Sequence, residues 1–204
     1  MTAPASSLRD TLIDAGCALL TEGGAEALTL RRCAARAGVS HAAPAHHFDG
    51  LPGLLNAIAE RGHTKLCAAM EAEAALAQDP RARLHAIGRG YLTFARDNGA
   101  LFALMFRKKV AMAPESALHA ASSRAYGMLK DACAPFVPPG IAPEVIEAQT
   151  WSLIHGCAFL LVSGQIGGAA HAPCGVAAAE DVMTLLDRIG VQAEAPKRPG
   201  AVGF

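Results

Sequence analysis

The sequence predicts an all-α protein, and three observations support this. Aromatic residues make up only 5% of the 204 residues, while alanine, the strongest helix former, recurs along the chain. Apolar residues return every three to four positions, as in Leu8, Leu12, Ala15 and Leu19, which is the spacing of one helix face. Groups of glycine and proline interrupt these stretches and mark helix ends.

These patterns predict about nine helices. The first covers about residues 7 to 21 and ends at Gly23-Gly24, and two short helices follow it. A long fourth helix has Pro52 in its first turn and ends near Ala77. The later helices cover about residues 81–96, 100–106, 115–134, 144–165 and 177–189. We expect residues 192–204 to be a disordered tail, because prolines and glycines are frequent there and apolar residues are few.

The two short helices have the pattern of a helix-turn-helix. Thr29 is a good N-cap, because its hydroxyl can accept an orphan backbone N–H at a helix start. Gly38 is placed to end this helix in the left-handed conformation, and the apolar Val39 follows it. Ser40 is interpreted as the N-cap of the second helix. Two helices joined by a tight glycine turn fit the major groove of DNA.

Around this motif the chain resembles the TetR family of transcriptional regulators. The resemblance covers about residues 8 to 62, and it is carried by Thr29, Cys33, Ala34, Ala37, Gly38, Val39, Ser40, His47 and Phe48. It implies a helix-turn-helix DNA-binding domain over residues 5–65, a ligand-binding and dimerisation domain over residues 66–191, and double-stranded operator DNA as a partner. Two positions depart from the family pattern: Ala45 replaces a tyrosine and Leu51 replaces a lysine, and both family residues tend to hold DNA phosphates.

Candidate DNA contacts follow from this resemblance. Arg31 and Arg36 are expected to contact phosphates or base edges, and Thr29 and Ser40 expose helix N-terminal N–H groups that attract phosphate. The full set is Thr29, Arg31, Arg36, Ser40, His41, Ala42, Ala43, His46 and His47. The three histidines also have a plainer interpretation, as solvated surface or as packing against the first helix.

A second, shorter resemblance concerns the C-terminal domain. The residues from Phe94 to Phe106, together with a Trp151 and His155-Gly156 motif, resemble one TetR subgroup. The expected binding site for a mostly apolar small molecule comprises Tyr91, Phe102, Met105, Phe106, Met128, Trp151 and His155. The alternative is that Trp151 and His155, which share one helix face, are a core tryptophan packed over a hydrogen-bonded core histidine.

The eighth predicted helix is apolar on nearly all sides, so it must be buried on nearly all sides. An interface with a second copy would achieve this together with the ninth helix. The predicted homodimer interface comprises Ala158, Leu161, Val162, Val182, Leu185, Leu186 and Ile189.

Composition excludes several other classes of function. The formal net charge is zero, and the six cysteines form no C-x-x-C pair, so we expect no metal site and treat the cysteines as small apolar residues. The carboxylates are scattered and no phosphate-binding loop is present, so we expect no catalysis and no cofactor. The absence of an apolar N-terminal leader, and an apolar stretch at residues 153–162 that is too short for a membrane span, favour a cytoplasmic protein without a membrane partner.

The sequence therefore predicts a ligand-responsive repressor that binds a palindromic operator as a homodimer. The alternative is a small-molecule-binding or interaction protein of the same fold whose DNA binding is weak or lost.

Overall fold

Seven α-helices and four 3-10 segments, without a β-strand, make up the part of the chain that the structure, a computed structural model, describes. That part comprises residues 7–107, 113–166 and 181–191. The helices are α1 (Leu8–Gly23), α2 (Leu30–Ala37), α3 (Gly50–Ala74), α4 (Pro80–Asp97), α5 (Gly99–Met105), α6 (Ala117–Cys133) and α7 (Pro143–Val162). The 3-10 segments are Ala25–Ala27, Ala43–His46, Ala134–Phe136 and Thr184–Arg188. The all-α prediction is confirmed.

Side-chain caps begin four of the helices. The side chains of Ser7, Thr29, Asp79 and Ser116 each accept the backbone N–H three residues further on. Each cap satisfies one of the N–H groups that a helix start leaves without a partner. Because this chemistry is local, the helix starts follow closely from the sequence.

The predicted ninth helix is only partly described. Residues 177–180 and the predicted tail, 192–204, lie outside the described residues. Residues 181–183 are helical, and Thr184–Arg188 continue as a 3-10 turn. The described end of this element is therefore tighter than an α-helix.

The N-terminal head is built from α1, α2 and the first half of α3. Its core contains Leu12, Cys33, Ala34, Leu54 and Ile58, all buried. Gly16 lets α1 approach α3 closely, since a Cβ there would lie 2.7 Å from Cδ1 of Ile58. The guanidinium of Arg61 on α3 also pairs with Asp10 and Asp14 of α1, at 2.7 and 2.9 Å.

The helix α3 continues without a break from the head into the rest of the molecule, across the predicted domain boundary at residues 65/66. Its second half packs against α4 and α6, and α4 in turn packs against α7. The contact with α4 is backbone to backbone at Gly90, where a Cβ would lie 2.6 Å from Cα of Met70 and 2.7 Å from the carbonyl oxygen of Ala69. Glycine is required there by this close approach.

The C-terminal segment, residues 181–191, is fastened to α4. The guanidinium of Arg81 lies 3.7 Å from the centre of the Phe136 ring and donates to the carbonyl oxygen of Leu186. His85 of α4 lies 2.7 Å from the carboxylate of Asp187. These contacts hold the segment beside the start of α4.

Among the described residues, α7 is the one helix long and apolar enough to cross a membrane by length and composition. A single helix of this kind is weak support for a membrane span. One side of α7, which includes Ile146, Ile154 and Cys157, is buried, and α7 packs against α4 and α6.

Candidate functional site

The first helix of the helix-turn-helix, α2, begins after Thr29 and ends at Gly38, as predicted. The hydroxyl of Thr29 accepts the backbone N–H of Arg32 at 3.1 Å. Gly38 has φ 71° and ψ 28°, the left-handed conformation. The N–H of Val39 then donates to the carbonyl of Ala34 at 3.0 Å. The predictions for Thr29 and Gly38 are confirmed.

The second motif helix differs from the prediction. Ser40 does not start an α-helix: a 3-10 segment runs from Ala43 to His46, and Ala42 precedes it. An α-helix capped by Ser40 would place Pro44 four residues after the cap, where its ring clashes with the Ser40 carbonyl and no N–H is available. The Ser40 carbonyl instead accepts the N–H of Ala43 at 3.1 Å.

Most candidate DNA contacts lie on the surface of the head. Ala43 is half-buried, and the exposed candidates are Thr29, Arg31, Arg36, Ser40, His41, Ala42, His46 and His47. The guanidinium of Arg36 is already paired with Glu22 of α1. Phe48, one of the residues that carry the family resemblance, is buried beneath the segment.

The two departures from the family pattern have different surroundings. Ala45 is exposed, so a longer side chain has space there. Leu51 is half-buried and packs against the core, so its side chain is a packing residue. Contact with DNA remains a prediction for the candidate residues and for positions 45 and 51.

A cavity of about 290 Å³ lies between α3, α4, the end of α5, α6 and α7. Its walls are mostly apolar or aromatic, as in small-molecule binding sites. The lining residues are His63, Leu66, Met70, Ile87, Tyr91, Met105, Phe106, Ser122, Ala125, Tyr126, Leu129, Trp151, Ile154 and His155.

Five of the seven predicted ligand-binding residues line this cavity: Tyr91, Met105, Phe106, Trp151 and His155. Phe102 and Met128 do not. Phe102 is 1% exposed and lies behind the wall, with its ring centre 4.9 Å from that of Phe106. Met128 lies on α6 next to the lining residue Leu129, but one residue along a helix turns the side chain by about 100°.

Tyr91 and His155 form a polar pair in the cavity wall. The Tyr91 hydroxyl lies 2.8 Å from Nδ1 of His155 and shares a hydrogen bond with it. Burial raises the pKa of Tyr91 and lowers the pKa of His155. Both shifts favour the neutral forms, so the pair presents hydrogen-bonding groups without a charge. The Trp151 ring stacks on His155, with 5.5 Å between their centres.

Sequence reasoning missed His63. This residue is 5% exposed and lines the cavity from α3, and its Nδ1 has no hydrogen-bond partner among the described residues. Burial lowers the pKa of His63 to about 4. The available signal was its register: Ala59, His63, Leu66 and Met70 share one buried face of α3.

A second missed feature is a polar contact beside the cavity. The Tyr126 hydroxyl donates to Oε2 of Glu147 at 2.5 Å. Glu147 is 3% exposed, so Tyr126 shields a buried carboxylate. The pair lies next to Trp151, whose ring centre is 6.0 Å from that of Tyr126.

The predicted dimer interface needs correction. Ala158 and Leu186 are 0% exposed, so they belong to the core of a single copy. Leu161, Val162, Val182 and Ile189 are half-buried against that core, and of the seven only Leu185 is exposed. The sequence showed that α7 is apolar all round, but it could not show which side meets the rest of the chain.

The open side of α7 consists of other residues. They recur at helical spacing, and they are Val145, Ala148, Gln149, Ser152, Phe159 and Leu160. Phe159 is 56% exposed, the most of any large apolar residue on this helix. Gly156 lies between them, and a Cβ at this glycine would meet nothing within 4 Å. We call this surface the open face of α7.

A helix-turn-helix head joined by one continuous helix to a helical domain with an apolar cavity defines a ligand-responsive, DNA-binding transcriptional regulator. Comparisons with known proteins agree. Residues 84–186 match the family described as tetracyclin repressor-like, C-terminal domain, and residues 12–58 match the bacterial regulatory proteins, tetR family. The chain belongs to the TetR family.

Solved structures show the same fold over nearly the whole chain. A Rhodococcus sp. RHA1 protein of unknown function is 30% identical, with 93% of this chain and 100% of that chain covered and a TM-score of 0.74. The TetR family regulator PfmR from Thermus thermophilus is 21% identical, with coverage of 94% and 100% and a TM-score of 0.63.

A third structure is the transcriptional regulator FadR from Bacillus subtilis in complex with stearoyl-CoA. It is 13% identical, with 86% of this chain and 96% of that chain covered and a TM-score of 0.67. No curated protein sequence matches the chain.

Proposed function

We propose that this regulator is a homodimeric repressor that binds a palindromic operator and is released from it by a small, mostly apolar effector. The observation that carries the proposal is the apolar cavity beside α3, the helix that also forms part of the DNA-reading head. The two heads of a dimer can stand at a spacing that fits the operator or at one that does not. An effector shifts DNA affinity only by as much as it binds one of these two arrangements more tightly than the other. A tenfold release needs about 1.4 kcal/mol of such preference.

The dimer is proposed to form through the open face of α7. Val145, Phe159 and Leu160 supply apolar area, and Ala148 and Gly156 allow close approach of a partner helix. Two copies would pack these faces about a twofold axis, as helices do in bundles. A stable interface of this kind buries about 2,000 Å² or more.

The DNA-binding step is proposed to use two heads related by that axis. The half-sites would lie about 34–36 Å apart, or a multiple of that spacing, so that both heads face the same side of the duplex. The short 3-10 segment and the exposed residues around it would approach the groove. The proposed location is the cytoplasm, where the operator DNA lies.

The effector is proposed to be smaller than the acyl-CoA bound by the Bacillus subtilis regulator. A cavity of about 290 Å³ is about twice the size of an engineered cavity that holds one benzene. Among the described lining residues there is no lysine or arginine to hold a phosphate or a carboxylate. One or two rings, or a short chain, match this volume.

Two measurements test the proposal. The first is a mobility-shift titration on the DNA upstream of the protein's own gene, which separates a repressor from a protein of the same fold that has lost DNA binding. The second adds a panel of neutral apolar compounds and follows both DNA release and the emission of Trp151, the sole tryptophan. A compound that binds should change both signals over the same concentration range.

The matched variants are Phe106→Ala and Leu76→Ala. Phe106 lines the cavity, whereas Leu76 lies in the turn after α3 and is 76% exposed. Phe106→Ala should weaken effector binding while operator binding without effector persists, and Leu76→Ala should change neither. Compounds that release DNA without any response from Trp151 would contradict the proposed site.

A further inference from the structure

Among the described residues that line the cavity, only His63 has a buried side-chain polar atom, Nδ1, without a hydrogen-bond partner. A buried polar atom without a partner destabilises the folded chain, so such atoms are rare and call for an explanation. The other imidazole in the wall, that of His155, already has Tyr91 as its partner. A ligand in the cavity would supply the hydrogen-bond partner that the described residues do not supply to Nδ1 of His63.

The surroundings of His63 favour an aromatic ligand. The Phe106 ring lies between the two histidines, with its centre 6.0 Å from that of His63 and 4.5 Å from that of His155. Trp151 and Tyr91 meet edge to face, with 6.3 Å between their centres. Aromatic rings pack favourably in such offset and edge-to-face arrangements.

The same surroundings exclude a charged ligand. Among the described residues that line the cavity there is no lysine, arginine, aspartate or glutamate. Burial keeps both imidazoles neutral at neutral pH, because it lowers the pKa of His63 and of His155. An ionised carboxylate or amine would lose its hydration and gain no opposite charge, which is unfavourable.

We propose that the effector is an uncharged aromatic compound with a hydroxyl group, anchored by a hydrogen bond between that hydroxyl and Nδ1 of His63. This inference rests on the proposed function, because it takes the cavity as the effector site. A hydroxyl group suits either tautomer of the imidazole, since it can donate to a bare Nδ1 or accept from a protonated one.

The position of His63 gives this anchor a route to the DNA-reading head. His63 lies two residues after Arg61, whose guanidinium joins α3 to Asp10 and Asp14 of α1. Both residues belong to the same uninterrupted helix. A ligand held by His63 therefore acts on the helix that carries the head.

Three probes of matched shape test the inference: 4-propylphenol, propylbenzene and 4-propylbenzoate. Isothermal titration calorimetry on the full chain gives the affinities, and Trp151 emission checks the site. We expect 4-propylphenol to bind most tightly, propylbenzene to bind roughly fivefold more weakly for want of one hydrogen bond, and 4-propylbenzoate not to bind measurably. Tightest binding by the benzoate would overturn the inference.

Variants locate the hydrogen bond. His63→Phe removes it while keeping an aromatic ring, so the phenol and propylbenzene should then bind alike. His63→Asn keeps a hydrogen-bonding group near the Nδ1 position and should restore part of the preference. Thr150→Val is the control, since Thr150 is buried but does not line the cavity, and it should leave the preference unchanged. A preference that persists in His63→Phe would overturn the assignment.

The outcomes separate the two proposals. Equal binding of the phenol and propylbenzene to the unaltered protein, with a Trp151 response, would leave the effector cavity in place and overturn only the role of His63. Failure of all three probes to bind would overturn the inference, whereas the proposed function is tested separately by the mobility-shift titration and the wider panel of compounds. Because the three probes are compared first on the unaltered protein, the test stands even where a variant folds poorly.

Discussion

The carboxylate of Glu22 on α1 lies 2.7 Å from the guanidinium of Arg36 on α2. This pair joins the first two helices of the head. It engages the guanidinium of Arg36, which the sequence analysis listed as a candidate DNA contact. Arg31, on the same helix, is exposed and has no ion pair within the part of the chain that the structure describes. The two arginines should therefore contribute differently to operator binding.

We expect Arg31→Ala to weaken operator binding more than Arg36→Ala, because Arg36 must leave Glu22 to reach a phosphate. If Arg31 contacts only phosphate, its loss should lower affinity alike on all sequences and reduce the salt slope by about one. Fluorescence anisotropy at several salt concentrations measures this. Arg83→Ala, at an exposed position on α4, is the control.

Removing the carboxylate should have the opposite effect. Glu22→Gln frees Arg36 and removes a negative charge from the head, so we expect tighter DNA binding with a steeper salt dependence. An unchanged affinity in Glu22→Gln would mean that Arg36 does not approach the DNA.

The dimer prediction concerns Phe159. Phe159→Asp places a charge on the open face of α7, so we expect a folded monomer by light scattering at micromolar concentration. Leu76→Asp is the matched control, because Leu76 is also a large exposed apolar residue but belongs to the turn after α3 rather than to α7. A Phe159→Asp protein that remains dimeric would show that the partner binds elsewhere. Leu186→Asp, by contrast, should unfold the chain, since Leu186 is fully buried.

Stability should fall in mild acid because of His63. Its pKa is lowered from 6.5 to about 4 in the folded chain, so between these values the unfolded chain binds more protons and unfolding becomes easier as pH decreases. The shift corresponds to a loss of about 3 kcal/mol between about pH 6.5 and pH 4. Urea unfolding near both limits measures it. His63→Phe should lose less stability over that range, and an equal loss would contradict the prediction.

The Tyr126–Glu147 contact predicts a second stability effect. Tyr126→Phe removes the hydroxyl that donates to a buried carboxylate, and we expect a cost of about 2 kcal/mol in the free energy of unfolding. The same substitution in a Glu147→Leu background should cost much less, because no buried charge is left without a donor. Equal costs in both backgrounds would mean that the two residues do not interact.

The sequence was a good guide wherever the chemistry is local. The Thr29 cap and the Gly38 turn depend on residues within one helical turn, so their structure follows from their order. The failure at Ser40 is also local in origin: Pro44 falls where an α-helix needs its N–H, and a 3-10 segment results.

Packing between helices was harder to predict. Phe102 and Phe106 lie on the same short stretch, yet one is behind the cavity wall and the other lines it. His63 was overlooked because only the fold places a cavity against that side of α3. Three of the predicted dimer residues, Ala158, Leu161 and Val162, lie on α7, which is helical as predicted. Which side of this helix is buried depends on its packing against α4 and α6.

The backbone contact at Gly90 has a consequence for how the cavity can adapt. Since no side chain separates α4 from α3 at that crossing, the two helices have no room to move closer and no adjustable layer between them. The wall formed by α6 presents the small residues Ser122 and Ala125 to the cavity, beside the larger Tyr126 and Leu129. We therefore expect α6, rather than the crossing of α3 and α4, to adjust when a bulkier compound binds. Substitutions on α6 are the place to look for altered effector selectivity.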